Sequence, residues 1–63
     1  MAVNLTTKEL AAIQDHLSVE DNVIKKYRMY AQTTQDPQIR QKCQDIAAKH
    51  QEHFNTLMGH LSC

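Results

Sequence analysis

Tryptophan is absent, and 63 residues contain one glycine, one proline and one phenylalanine. With helix breakers so scarce and Gln, Ala, Lys, Glu, Leu and Ile plentiful, composition points to a helical protein. A single glycine also leaves no glycine-rich loop to cradle phosphates, and no hydroxyl stands where a histidine would activate it. Nucleotide binding and nucleophilic catalysis are therefore without support. Net charge is missing as well: seven basic and seven acidic residues cancel with histidines neutral, and the two signs are interspersed. No broad field draws the chain to nucleic acid or to an anionic membrane, and neither is expected as a partner. The only basic concentration, Lys25, Lys26 and Arg28, reads as a solvated helix face. No apolar run reaches bilayer-spanning length, and the amino terminus lacks the basic-then-apolar pattern of a signal peptide. A protein cytoplasmic when synthesised is the expectation. Cysteine is scarce too. Cys43 and Cys63 fit neither a zinc-finger spacing nor a disulfide framework. Cys43 reads as a small core residue, and Cys63 as a terminal free thiol that oxidation could use to cross-link chains.

What is present is helix punctuation. Leu5-Thr6-Thr7-Lys8-Glu9-Leu10 holds a capping box and a hydrophobic staple. Thr6 caps the Glu9 amide, Glu9 reaches back, and Leu5 packs on Leu10. A first helix is predicted over about 6–33, long enough to extend roughly 40 Å at 1.5 Å per residue. Thr33-Thr34-Gln35 weakens the pattern, giving a turn at 34–36. Asp36-Pro37 restarts it with an N-cap oxygen followed by a proline in the first turn, where no amide hydrogen is needed. The second helix is predicted over about 37–60. Gly59 is a candidate left-handed C-cap, although Leu61 would continue the apolar face. The chain is one domain, 1–63, and a two-helix hairpin of this size cannot enclose a core unaided. The fold class is all-α: an antiparallel hairpin that dimerises into a four-helix bundle, with a second copy burying the exposed seam.

The seam itself carries the chemistry. Leu10, Ile13, Leu17, Glu20, Ile24, Tyr27 and Ala31 recur at three- and four-residue steps, and Ile39, Cys43, Ile46, His50, His53 and Leu57 repeat the pattern. One carboxylate and two imidazoles stand where hydrocarbon is expected. Reversal near Gln35 sets Glu20 opposite position 51, between the two histidines. Desolvating such groups costs roughly several kcal/mol unless charges or hydrogen bonds compensate. A metal ion would do so directly, and His50 and His53, three apart, can reach a common site. Imidazole with carboxylate suits iron, manganese, zinc or copper. Twofold symmetry would double Glu20, His50 and His53 into enough ligands for a dinuclear centre. Tyr27, one heptad beyond Glu20, could support the ligands with a hydrogen bond or act as a redox-active neighbour, and is equally a good core aromatic. A metal-free alternative remains beside this one: Glu20 paired to a histidinium simply fixes helix register. His60 extends the polar layer or caps the helix end. His16 and Glu52 read as surface, and Met29, Met58 and Phe54 as packing residues.

The run Asp36-Pro37-Gln38-Ile39-Arg40, followed by Ala47-Ala48-Lys49-His50-Gln51-Glu52-His53-Phe54-Asn55-Thr56-Leu57, resembles the spore coat protein F family (coat F domain) of endospore-forming Firmicutes, and Glu20 through Tyr30 is similar too. The resemblance spans nearly the whole chain and is most specific over 50–57. It implies a relation to ferritin-like four-helix bundles, whose di-iron or di-manganese centres use a Glu from one helix and a Glu-x-x-His pair from the next. Glu20 matches the lone Glu and His53 the motif's His, whereas position 50 is His where that motif places Glu. Such a shell is less anionic and richer in nitrogen, which favours zinc, copper or a mononuclear centre over a bridged di-iron oxidase.

Two expectations result. The first is a coat-F-like homodimeric bundle with an interior metal site at Glu20, His50 and His53. The second is a metal-free structural or assembly module of the spore coat, partnered by other coat proteins. Catalysis would require an open coordination position, and oxidase or peroxide chemistry would require redox-active iron, manganese or copper.

Overall fold

The computed structural model describes residues 5–61. Two helices fill it: α1 spans Thr7–Thr33 and α2 spans Pro37–Gly59. They lie antiparallel as one layer measuring 46 × 19 × 11 Å, and α1 packs against α2 along the seam.

Each boundary has a local cause. Thr6 is extended (φ −69°, ψ 160°) and its side chain accepts the Glu9 amide at 3.1 Å, while the Thr6 amide donates to Glu9 Oε1 at 3.1 Å. Two amides left orphaned at a helix start are satisfied by this reciprocal pair. Glu9 is held below the usual glutamate range, first by its backbone bond to Thr6 and then by the Thr6 side chain. Chain reversal occurs at 34–36, where Thr34 leaves the helix in extended conformation and the Asp36 amide donates to Thr34 Oγ1. Asp36 Oδ1 then accepts the amides of Gln38 and Ile39 at 2.8 and 3.3 Å, and Pro37 occupies the first helical turn.

Arg40 ties the two helices together at this end. Its Nε donates to the carbonyl of Ala31 at 3.3 Å and its Nη2 to that of Thr34 at 2.9 Å. These carbonyls lie at the C-terminus of α1, where intrahelical partners run out and a cation is electrostatically favoured. No periodicity or cap motif in the sequence marks Arg40 for this part.

Gly59 differs from its expected role. No glycine among the described residues has positive φ, Gly59 lies within α2, and the cap is His60 in right-handed conformation (φ −70°, ψ −17°). The His60 amide bonds to the carbonyls of Leu57 and Met58, so the helix closes on tight backbone bonds without a left-handed residue.

The core is small: Ile24, Ala31, Cys43 and Ala47 are its buried apolar residues, and Glu20 is buried with them. Among the described residues, nothing before Glu20 or after Ala47 is buried. Large apolar side chains remain in water, including the seam residues Leu10 and Ile39 together with Val19 and Tyr30. Met29 and Met58, expected as packing residues, are also exposed. One neighbouring helix covers a single flank of a stripe, so side chains on the other flank stay outside. Beside the core, Ala31, Ala47 and Ala48 leave an open groove of about 580 Å³ edged by Arg28 and Arg40. Cys63 lies outside the described residues.

Candidate metal centre

Glu20 follows Ile13 and Leu17 and precedes Ile24 on one face of α1, a spacing that turns its side chain toward α2. It is only 6% exposed. From α2, His50 and His53 rise one turn apart, their ring centroids 5.4 Å from each other and their planes at 79°. His50 Nδ1 lies 2.7 Å from Glu20 Oε2 and His53 Nδ1 lies 3.9 Å from Oε1. One donor atom from each of Glu20, His50 and His53 falls within 4.8 Å of the others. The structure thus gathers all three residues singled out by the seam.

It adds a fourth. His16 Nε2 is 3.3 Å from Glu20 Oε1, one helical turn before it on α1. His16 is on the surface, as expected, with its side chain 56% exposed, yet its ring reaches the carboxylate. The i, i+4 spacing of His16 and Glu20 allows this contact, although His16 stands beside the apolar stripe and not on it. Three imidazoles therefore surround one carboxylate, His50 on one oxygen, His16 and His53 on the other. The Tyr27 ring, two turns beyond Glu20 on α1, packs edge-to-face on that of Tyr30 at 5.7 Å.

These contacts hold the Glu20 carboxyl below the usual glutamate range. The His50 hydrogen bond contributes most, against an opposing push from burial, with the charge of His50, the His16 bond and the charge of His53 adding to the lowering. An ionised carboxylate only accepts, so the short bond requires a proton on His50 Nδ1. A metal at that nitrogen must displace this proton. No buried side-chain polar atom among the described residues lacks a hydrogen-bond partner, and the layer is already internally satisfied.

No family model, curated protein or solved structure matches the chain.

The donor set can be compared with what an ion demands. A tetrahedral ion holding nitrogen and oxygen at about 2.0–2.2 Å spaces its donors roughly 3.3–3.6 Å apart. The His53 separation of 3.9 Å must close slightly, and the 2.7 Å His50 contact must open as metal replaces proton. Both are adjustments of side-chain torsion. Exposure rises from Glu20 (side chain 7%) through His50 (31%) to His53 (53%), so the layer is sealed at the carboxylate and wet at the imidazoles. An ion can reach it without the helices separating.

Proposed function

We propose that the protein is a small metal-binding helical hairpin that pairs with a second copy into a four-helix bundle, Glu20, His50 and His53 holding the ion. A buried carboxylate with two imidazoles inside 4.8 Å carries this reading. Nitrogen-rich donors favour a transition metal such as zinc, copper, iron or manganese over calcium or magnesium. Pairing is supported by the exposed Leu10, Val19, Met29, Tyr30 and Ile39 beside so small a core. The resemblance of 36–40 and 47–57 to coat F proteins supports a ferritin-like assembly with a place in the spore coat, alongside other coat proteins.

The test is elemental mass spectrometry on protein purified without a histidine tag, together with its mass in solution. Stoichiometric metal in a dimer, lost on His53→Ala substitution, is the expected result. A dimer that takes up no metal on reconstitution would sink the reading.

One observation favours a second reading. Because Glu20 is fully partnered without an ion, the same layer works as a metal-free register lock within a structural or assembly module. Under that reading chelator leaves thermal stability unchanged, and His53→Ala shifts it equally with and without chelator.

A further inference from the structure

We infer that His16 is a fourth ligand, so that a single hairpin supplies a closed centre of three imidazoles and one carboxylate. The inference rests on the metal reading above and specifies its coordination. His16 Nε2 and Glu20 Oε1 are 3.3 Å apart, already about the edge length of a tetrahedral site with nitrogen and oxygen donors. Of the three imidazoles, His16 needs the least change in distance from the carboxylate; the other two contacts stand at 2.7 and 3.9 Å.

Glu20 is the only hydrogen-bond partner described for the His16 ring, so no competing contact has to be broken. His16 lies outside the 4.8 Å group of the other three residues and must swing toward His50 and His53. More than half of its side chain is in water, which leaves its rotamers free to do so.

The fourth donor changes what the site can do. Three protein ligands leave a position for water or substrate, the arrangement of catalytic zinc, whereas four close a tetrahedral ion and make the site structural or storing. Three neutral imidazoles and one carboxylate leave a divalent ion with one net positive charge. Zinc-like ions that accept four nitrogen and oxygen donors tetrahedrally fit this set, and ions that demand six oxygens do not. Because all four residues come from one chain, the centre needs no ligand from a second copy.

Cobalt(II) is the probe, since its visible bands are intense when four-coordinate and weak when water raises the coordination number. Metal-free protein is titrated with cobalt(II) and, by calorimetry, with zinc. Wild type should take one ion per chain with intense bands. His16→Ala should still bind, but more than about 100-fold more weakly, beyond what loss of a supporting hydrogen bond costs, and with weakened bands. His16→Gln keeps a donor for Glu20 but offers no imidazole, and should behave like His16→Ala. If either variant retains the wild-type spectrum, or binds within about 100-fold of wild type, His16 is only a hydrogen-bond partner, and the three-residue site stands without it. If wild type binds neither ion, the metal reading itself falls and the fourth ligand falls with it. Helix content of both variants is checked by circular dichroism, and His16 is exposed enough that its loss leaves the packed seam intact.

Discussion

At the scale of single residues, Glu20 is the residue on which the arrangement turns. It is a buried anion whose partners sit on both helices, His16 on its own and His50 and His53 on the other. The partners are unequal. His50 makes the short bond and is the more buried of the α2 pair, so in chelator His50→Ala should lower the urea midpoint more than His53→Ala. Equal losses would mean that the 2.7 Å contact is not the dominant one. The lowered Glu20 pKa fixes the direction of acid sensitivity. A carboxyl held below its unfolded value contributes stability above the unfolded pKa and loses it as pH falls through the folded one. Metal-free protein should therefore weaken as pH drops below the usual glutamate range, and the acid limb of its stability profile should be shallower in Glu20→Gln. Glu20, His50 and His53 were legible in the sequence because a polar side chain on an apolar stripe is conspicuous. His16 and Arg40 were not, since both lie off the stripe and act by reaching back to it, Arg40 onto backbone carbonyls that no sequence pattern displays.

At the scale of elements, caps decide where the helices begin, and these were read almost residue for residue. Thr6 with Glu9 and Asp36 with Pro37 are local devices whose chemistry lies within four positions. Asp36→Ala should cost about 0.5–2 kcal/mol in thermal or urea unfolding, because two amides at the start of α2 lose their acceptor. The far end of α2 was harder, since glycine near a helix terminus signals either a left-handed cap or nothing at all. Here φ at Gly59 is not positive, and a Cβ added there meets nothing within 4 Å. Gly59→Ala should accordingly stabilise by up to about 0.5–1 kcal/mol through the unfolded chain's lost freedom. A loss of stability instead would show that the glycine is needed in a state other than this one.

At the scale of the whole molecule, the hairpin follows from a short turn between two long periodic segments, and that much was legible. Which flank of each stripe a single partner helix would cover was not, because that depends on how the helices rotate when they pack. Leu10 and Ile39 remain outside although both lie on the seam. With so few buried side chains, stability should depend on protein concentration, the melting temperature rising as copies pair. Leu10→Lys combined with Ile39→Lys should shift the sedimentation profile toward monomer while helix content at high concentration persists. A melting temperature independent of concentration, with monomeric mass throughout, would show that the hairpin stands alone.

The burial pattern has a mechanical side. Arg40, Asp36 and the buried Ile24, Ala31, Cys43 and Ala47 all lie between the Glu20–His50 layer and the turn, and no described residue beyond that layer is buried. The molecule is a pair of tweezers, riveted at the bend and loose at the tips, with the carboxylate at the last point where the arms are fastened. An ion gripped there would be a clasp that opens at its wet imidazole side and leaves the rivet intact. Slow amide exchange should therefore persist near Ile24 and Cys43 whether or not metal is bound.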